Sequence, residues 1–470
     1  MLTIADVLEA LTGDRPEWGQ QEIVDAIIDS RQATPGSVFI AIAGERVDGH
    51  DFVGEAFEKG AVLALVEHEI ATNCAVIDLR EGPGILPKKS VPLPFCVLVG
   101  NTVQALQQIA GFWRRQLDVQ VIGITGSVGK STTKELVTEV LRQRYRTLKN
   151  QGNLNNEIGL PLTMLKLNEK HQRAVLEMGF YVPGEISLLC GLAQPSIGVI
   201  TNIGMVHAER AGSLEAIASG KAELVEALPE DGVAILNYDD LRVRRMAEKT
   251  RAKVFFYGMS SQADLWAEDV EGLGLDGIRL RLHFRNEVLH LHVPLIGRHS
   301  AHTVLRATAV GLVEDLTWQE IMDGLHSEHT QLRLVTVRAK SGALILDDTY
   351  NASPESTLAA LNLLEELEGR KVAVLGDMLE LGPYEATGHE MVGVRAAEVV
   401  DELVTVGERA VMIAAAAEEA GLPPRVITRV QDSHEAIKFL GDRLRAEDVV
   451  LIKGSRGMQM DQIVSALEAS

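Results

Sequence analysis

Residues 119–144 read VQVIGITGSVGKSTTKELVTEVLRQR. The first seven residues form an apolar run, which predicts a buried strand. A Gly-rich segment, TGSVGKST (125–132), follows at once, and the apolar residues of 134–144 recur with the spacing of one helical face. Strand, Gly-rich turn and helix together are the context of a phosphate-binding loop. The sequence therefore predicts a nucleotide site on an α/β domain.

The residue types of this loop suit phosphate chemistry. Gly126 and Gly129 allow consecutive N–H groups to converge on phosphate oxygens, and the helix N-terminus adds partial positive charge. We expect Lys130 to contact the outer phosphates and the Ser131 hydroxyl to ligate Mg²⁺. Ile124 stands where the strict pattern has a small residue, so the loop is a variant. The predicted nucleotide-contacting residues are Thr125, Gly126, Ser127, Val128, Gly129, Lys130, Ser131 and Thr132.

A phosphate-binding loop does not by itself name a reaction. GTPase switches, motors, kinases and ATP-driven ligases all carry one, so function has to come from the rest of the site.

Composition limits the class of protein. The chain has 470 residues and a net charge of −21 at pH 7, so we expect two or three globular domains and no nucleic-acid partner. Cys74, Cys96 and Cys190 are widely spaced in sequence, which predicts neither a disulfide framework nor a metal cluster. The N-terminus lacks the features of a signal peptide, and no apolar run is long enough to span a membrane. We expect a cytoplasmic protein without membrane insertion.

Short β-branched runs alternate with helical patterns along the chain, which predicts mostly parallel sheets flanked by helices. Two runs around residues 285–287 alternate with period two, which predicts an antiparallel hairpin. The spacing of the later strands fits a doubly wound sheet. Three domains are predicted, with bounds 1–100, 101–328 and 329–470.

Several polar residues follow the loop. KNQGNLNNEIGLPLTML (149–165) reads as a polar loop before a helix, and a structural role is as well supported as a functional one. Glu177 ends a predicted strand, where a carboxylate could hold Mg²⁺. An isolated histidine such as His207 is more often structural, and a helical lysine such as Lys221 is ordinarily a solvated charge.

Four further motifs change this assessment. Together with the loop they resemble the Mur ligase superfamily of ATP-dependent amide-bond-forming enzymes. The motifs are DSRQATPGSVFIAIAGERVDGHDF (29–52), LILDDTYNASPEST (344–357), VLGDMLELGPYEATGH (374–389) and LIKGSRGMQMDQIV (451–464). The resemblance covers nearly the whole chain. It implies an N-terminal UDP-sugar domain, a central ATPase domain with a parallel sheet, and a C-terminal Rossmann-like domain that binds an incoming dipeptide.

The resemblance also implies an activity. The motifs look like those of the members that join D-alanyl-D-alanine to UDP-N-acetylmuramoyl-tripeptide, with ATP and Mg²⁺, through an acyl phosphate in peptidoglycan precursor synthesis. The alternatives are another amide ligase of the superfamily, such as an amino-acid-adding muramyl ligase or a folylpolyglutamate synthetase, or a P-loop ATPase that ligates nothing. The third residue of the peptide, diaminopimelate or lysine, stays open. We expect a monomer.

The resemblance assigns roles by position. Lys130, Glu177, His207 and Lys221 match catalytic residues. Ser131, Glu177, His207 and a carbamylated Lys221 match ligands of Mg²⁺. Further nucleotide contacts are expected at Asn237, His299, Arg333 and Asp348. For Asn237 and the neighbouring Asp240, an ordinary turn is about as well supported. Substrate contacts are expected at Ser30, Arg31, Arg46, Asp48, Asn153, Asn155, Asn156, Asn351, Asp377, Glu380, Lys453, Ser455 and Arg456.

This sequence departs from the family pattern in one stretch near the expected adenine site. Ser300 and Thr303 replace two asparagines, whereas His299 is retained. Gln331 is a smaller departure, before Arg333. The adenine contacts in this region are therefore open.

Overall fold

The computed structural model describes residues 1–44, 47–71, 73–80, 86–206, 208–327, 335–441 and 443–469. Arg46, His207 and Arg333 therefore lie outside the described residues. The chain forms two compact units. Unit 1 contains Met1–Gly123, Tyr145–Gly179 and Gly184–Ser196, and unit 2 contains Ile124–Arg144, Phe180–Pro183 and Ile197–Ser470. The bounds 1–100, 101–328 and 329–470 stay predictions.

Unit 1 begins with five strands and two helices: α1 (Ile4–Thr12), β1 (Ala26–Ile27), β2 (Val38–Ile40), α2 (Val53–Glu58), β3 (Leu63–Val66), β4 (Ala75–Asp78) and β5 (Phe95–Leu98). The strands form one parallel sheet in the order β1-β2-β3-β5-β4. The inner strands β2, β3 and β5 are wholly buried, as expected for a parallel sheet with both faces covered.

Two cysteines of this sheet lie close together although they are widely spaced in sequence. The Sγ atoms of Cys74 and Cys96 are 3.3 Å apart, although the residues are 22 positions apart in sequence. Cys74 directly precedes β4, and Cys96 lies within β5. Because β4 and β5 are neighbouring strands, spacing in sequence is a poor guide to the distance between these residues in the fold.

The rest of unit 1 contains α3 (Thr102–Arg115), the start of β6 (Gln120–Thr125), and, after a gap in sequence, β7 (Thr147–Lys149), α5 (Gly159–Met164), β8 (Arg173–Glu177) and α6 (Glu185–Ala193). Asn101 caps α3, because its side chain accepts the Gln104 amide hydrogen. The Arg114 guanidinium is buried and donates to the carbonyls of Leu117, Val119 and Ala193. These bonds fix the segment that leads into β6.

The first half of unit 2 carries the phosphate loop. It contains the end of β6, α4 (Lys130–Arg142), β9 (Ile197–Ile200), α7 (Ala208–Ala211), α8 (Leu214–Glu226), β10 (Val233–Asn237), α9 (Leu241–Arg244), β11 (Lys253–Gly258), β12 (Leu265–Gly272), β13 (Ile278–Phe284), β14 (Glu287–Val293), α10 (Ser300–Val313) and α11 (Trp318–Leu325). Strands β9 to β12 pair in parallel. Strands β12 to β14 pair antiparallel.

The predicted hairpin is confirmed. Phe284 pairs with Glu287 across the turn, and Arg285 adopts φ +54°. Helix α4 differs from expectation, because it starts at Lys130 rather than near residue 134. Its first turn is polar and faces the loop, so hydrophobic periodicity gives no signal there. Gly324 of α11 allows a close approach to α4, since a Cβ there would lie 2.4 Å from the Val140 Cα.

The second half of unit 2 forms a six-stranded sheet. Its elements are β15 (Val335–Arg338), β16 (Leu344–Asp348), α12 (Pro354–Glu366), β17 (Arg370–Gly376), α13 (Glu385–Val399), β18 (Glu402–Val406), α14 (Val411–Glu419), β19 (Ile427–Val430), α15 (Ser433–Gly441), β20 (Asp448–Lys453) and α16 (Asp461–Leu467). The order is β15-β16-β20-β17-β18-β19, and only the edge pair β15–β16 is antiparallel. Separate apolar cores cover the two faces, so the doubly wound prediction is confirmed.

No helix among the described residues is long and apolar enough to cross a membrane.

Candidate active site

The phosphate loop connects β6 to α4 in a backbone shape that only glycine adopts readily at two positions. Gly126 has φ +143°, and a Cβ there would lie 1.8 Å from the Thr201 Oγ1. Gly129 has φ +84° and is the N-cap residue of α4. The N-terminus of α4 thus opens onto the loop, which is the arrangement that binds anions.

The segment that follows β9 binds the loop from one side. The Asn202 side chain accepts the Val128 amide hydrogen at 2.9 Å and donates to the Val128 carbonyl at 3.1 Å. The Ser127 hydroxyl is buried and pairs with the backbone of Gly204. The Lys130 Nζ donates to the carbonyls of Gly126 and Ser127. The ammonium therefore lies over the loop, where a phosphate group would meet it.

A cavity of about 380 Å³ opens in front of the loop within unit 2. Most of the nucleotide residues predicted for unit 2 line it. Its walls include Ser127, Val128, Gly129, Lys130, Ser131, Thr132, Asn202, Asn237, His299, Ser300, His302, Thr303, Arg306, Asp348, Asn351, Glu355 and Lys453. Thr125 and Gly126 form the base of the loop without lining the cavity.

The C-terminal sheet contributes a charged pair to this cavity. The Lys453 Nζ donates to the Asp348 Oδ2 at 2.6 Å and to the Asn351 carbonyl at 2.9 Å. Lys453 is 2% exposed, so its charge is compensated at the wall of the cavity. On the same side, the Glu355 Oε1 accepts the Met205 amide hydrogen at 3.0 Å.

The residues around the expected adenine site are engaged with their surroundings. Asn237 is buried and donates to the Thr201 carbonyl at 3.0 Å. Both carboxylate oxygens of Asp240 accept backbone N–H groups, so this side chain caps α9. The Ser300 hydroxyl donates to the Ile296 carbonyl, and the Thr303 hydroxyl accepts from Arg306.

Lys221 lies on α8 and is fully buried. Its Nζ donates to the Gly126 carbonyl at 3.0 Å and lies 4.7 Å from the centre of the Phe180 ring. Burial, followed by the nearby charge of Lys130, holds the pKa of the Lys221 amine well below its ordinary value. The side chain is therefore a buried amine rather than the solvated charge that a helical lysine ordinarily carries.

In unit 1, the asparagine-rich loop holds a buried carboxylate. The Asn155 Nδ2 donates to the Glu177 Oε1 at 3.0 Å, and Glu177 is 1% exposed. Asn150 bonds both the N–H and the C=O of Glu177. Asn156 differs, because its Oδ1 accepts the Gly159 amide hydrogen and so supports the start of α5. Asn153 is exposed.

The N-terminal candidates are also tied to local partners. The Ser30 hydroxyl donates to Glu55 at 2.8 Å, and Arg31 makes a bidentate pair with Asp29. Asp48 accepts both the backbone N–H of His50 and a bond from its ring nitrogen. These bonds order the segment in which the three predicted substrate residues lie.

Four C-terminal candidates lie outside the cavity lining. The Asp377 carboxylate accepts the amide hydrogens of Arg409 and Ala410, and the Ser455 hydroxyl accepts that of Leu379. Glu380 has φ +64°. Arg456 is exposed at the start of a short 3₁₀ helix.

Sequence reasoning missed Asn150, Asn202, Glu355 and Arg306. Asn150 and Asn202 lie just after β7 and β9, and a polar residue at the carboxyl end of a strand is a signal that could have been used. Glu355 and Arg306 lie inside helices and reach partners about 150 and 173 positions away in sequence. No local pattern distinguishes Arg306 from an ordinary helical charge, whereas Glu355 lies within the motif 344–357.

Comparison with known families matches three segments of the chain. Residues 25–111 match the Mur ligase family, catalytic domain; residues 124–311 match the Mur ligase middle domain; residues 332–456 match the Mur ligase, glutamate ligase domain. Among curated proteins, the UDP-N-acetylmuramoyl-tripeptide–D-alanyl-D-alanine ligase of Bacillus subtilis is 36% identical and covers 99% of this chain and 98% of its own. The protein of the same name from Escherichia coli is 32% identical over the same shares.

Solved structures agree with this grouping. A crystal structure of MurF from Acinetobacter baumannii has TM-score 0.83 and 29% identity, and the match covers 99% of this chain and 98% of that chain. MurF of Thermotoga maritima, crystallised with ADP, has TM-score 0.76 and 28% identity, over 94% and 96% of the chains. The three-domain α/β architecture is confirmed, and the chain belongs to the Mur ligase family, in the group of the UDP-N-acetylmuramoyl-tripeptide–D-alanyl-D-alanine ligases.

Proposed function

We propose that this protein is the ATP-dependent ligase that joins D-alanyl-D-alanine to UDP-N-acetylmuramoyl-tripeptide in peptidoglycan precursor synthesis. The observation that carries the proposal is the similarity to ligases of that name over 98–99% of both chains. The folylpolyglutamate alternative is weaker, because the synthase of Mycobacterium tuberculosis is 18% identical to this chain and shares only the fold.

ATP binding is assigned to the cavity in front of the loop. The N–H groups of residues 127–132, the N-terminus of α4 and the Lys130 ammonium would hold the phosphates. The base and ribose would lie toward Asn237, His299 and Asp348. Arg333 is proposed for the γ-phosphate from its position in the sequence alone.

Mg²⁺ is assigned by the resemblance alone to Ser131, Glu177, His207 and a carbamylated Lys221. The Ser131 hydroxyl and the buried Glu177 carboxylate would supply the oxygen atoms that Mg²⁺ prefers. Mg²⁺ supplies charge stabilisation to the transferring phosphoryl group. Asn155 would keep the Glu177 carboxylate in its orientation.

Lys221 fits this set only after chemical modification. A protonated lysine repels metal ions, whereas the lowered pKa of its amine favours the neutral form, which is the nucleophile that attacks CO₂. The product carbamate carries two oxygens and a negative charge. We therefore propose carbamylation of Lys221.

The proposed reaction proceeds through an acyl phosphate, as the resemblance implies. The peptide carboxylate attacks the γ-phosphorus, ADP leaves, and an acyl phosphate forms. The dipeptide amine then attacks the acyl carbon and loses a proton, and phosphate leaves from the tetrahedral intermediate. The chain acts chiefly by positioning the reactants and neutralising charge. Substrate contacts are proposed for Ser30, Arg31, Arg46, Asp48, Asn153, Asn155, Asn156, Asn351, Asp377, Glu380, Lys453, Ser455 and Arg456.

The deciding experiment measures phosphate release from Mg²⁺-ATP with UDP-N-acetylmuramoyl-tripeptide, in its diaminopimelate and lysine forms. D-Alanyl-D-alanine, single amino acids and no amine are compared, and product mass is recorded. We expect release and a dipeptide mass increase with D-alanyl-D-alanine alone, and none with Lys130→Ala. Turnover with single amino acids would favour another superfamily ligase, and turnover that needs no amine would favour a plain ATPase. Since UDP-linked precursors and ATP are cytoplasmic compounds, we propose a cytoplasmic location.

A further inference from the structure

Arg306 is a buried cation beside the phosphate loop to which nothing so far assigns a role. It lies on α10 and is 4% exposed. Its Nε donates to the Thr133 hydroxyl at 2.8 Å, and its Nη2 donates to the Thr303 hydroxyl at 2.8 Å. Both acceptors are neutral. A buried charge held only by neutral partners is costly, and an opposite charge that enters the site lowers that cost.

No carboxylate within the described part of the chain forms an ion pair with Arg306. The centre of the Tyr257 ring, which is also neutral, lies 5.8 Å from the Arg306 Cζ. This contrasts with the other buried cation of the cavity wall, Lys453, which is paired directly with Asp348.

The guanidinium is aimed at the loop. A Cβ placed on Gly129 would lie 3.1 Å from the Arg306 Nη2, so the group lies directly against the residue that caps α4. Thr133, which anchors the Nε, is itself fixed by donation to the Gly129 carbonyl. Arg306 also lines the cavity in front of the loop.

We propose that Arg306 is a nucleotide-binding residue of this protein that contacts the diphosphate portion of the bound nucleotide. The two threonine bonds use two of the five N–H groups of the guanidinium and fix its plane, which leaves the fork geometry suited to phosphate oxygens. Arg306 lies two turns into the helix whose first turn departs from the family pattern at Ser300 and Thr303, and it takes Thr303 as an anchor. The proposal rests on the nucleotide site assigned above.

The test measures dissociation constants of ADP and GDP by competition with a fluorescent ADP analogue, for wild type, Arg306→Lys and Arg306→Met. Losing a charge-assisted hydrogen bond weakens binding by about 10- to 100-fold. We expect Arg306→Met to weaken ADP and GDP by the same factor in that range, and Arg306→Lys to weaken them less, because it keeps the charge and loses only the fork. The matched control is Arg298→Met, which removes an exposed arginine just before α10 and should bind ADP like wild type.

The outcomes separate the possible roles. Wild-type ADP affinity in Arg306→Met overturns the proposal, and so does equal weakening in the Lys and Met variants, which would indicate packing. A changed ADP:GDP ratio would also overturn it, because it would indicate contact with the base. If Arg306→Met does not fold, Thr303→Val removes one anchor, and unchanged ADP affinity there counts against the proposal. If wild type itself binds no ADP, the nucleotide site assigned above is wrong instead.

Discussion

In the six-stranded sheet, an ion pair between a basic and an acidic side chain lies at each end of the strands, and the two pairs differ in their surroundings. At the amino ends of the strands, Arg370 makes a bidentate pair with Asp448 and a further bond to Glu402. At the carboxyl ends, Lys453 pairs with Asp348. We call these the amino-end pair and the carboxyl-end pair. Strand β20 contributes a residue to each, since Asp448 begins it and Lys453 ends it.

The difference lies in what else surrounds the charges. In the amino-end pair, the Arg370 guanidinium is bonded by the carboxylates of both Asp448 and Glu402, so its charge is already compensated within the protein. The carboxyl-end pair lines the cavity in front of the phosphate loop. In open α/β sheets ligands bind at the carboxyl ends of the strands. Position along the strand, rather than the type of pair, therefore separates a stabilising contact from a candidate binding group.

Breaking the amino-end pair should have the largest effect on folding. The Asp448 side chain is fully buried, so Arg370→Met would leave it uncompensated and should lower the free energy of unfolding by about 3 kcal/mol. Urea denaturation measures this loss. The kcat/KM of Arg370→Met, measured by phosphate release, should stay within about twofold of the wild-type value. Arg395 gives the control, because its carboxylate partners Glu365 and Glu398 are exposed and stay solvated without it, so Arg395→Met should cost about 0.5 kcal/mol. A large loss of activity in Arg370→Met at temperatures where it is folded would contradict the comparison.

Breaking the carboxyl-end pair should act on the reaction. Lys453→Met removes an ammonium from the cavity wall and should lower kcat/KM by about 100-fold, the size expected for one lost electrostatic contact. Its destabilisation should be smaller than that of Arg370→Met, because Asp348 is partly exposed and can be solvated. Steady-state kinetics and urea denaturation of the same preparations decide this. If Lys453→Met lost stability and kept its activity, the carboxyl-end pair would be a stabilising contact like the amino-end pair, and the comparison would fail.

Lys221 sharpens the comparison, because its buried amine is bonded to the Gly126 carbonyl instead of a carboxylate. Its lowered pKa means that, between that pKa and about 10.4, the unfolded chain holds a proton that the folded chain lacks. Stability should therefore rise with pH in this window, by at most about 1.4 kcal/mol per pH unit. Relative to Lys221→Met, the wild type should gain stability as the pH rises toward about 10.4, without metal or CO₂. Parallel pH profiles of the two proteins would show that Lys221 is charged when folded.

The sequence was a good guide wherever one stretch of chain builds the feature. The phosphate loop, the hairpin at Arg285 and the doubly wound sheet each follow from consecutive residues, and all three are confirmed. The start of α4 was misplaced because its first turn serves the loop and carries no apolar stripe. The resemblance pointed to Lys453 and Asp348, whereas Arg370 and Asp448 belong to no motif.

The side chains that were missed bond across long distances in sequence. Arg306 reaches Thr133 across 173 positions, and Asn202 reaches Val128 across 74. Such contacts depend on which helices and strands become neighbours, and local periodicity carries no information about that. The roles of Asp377, Ser455 and the N-terminal candidates stay predictions, since their side chains bond the protein itself.

The bond from the Glu177 amide to Asn150 has a consequence for dynamics. This N–H donates to a loop side chain, so hydrogen exchange at Glu177 requires the loop to open and does not require the sheet to unfold. Its exchange rate thus reports the order of residues 150–156. The side-chain amide of Asn155 donates to the Glu177 carboxylate. The loop and the orientation of Glu177 should therefore order and disorder as one cooperative unit.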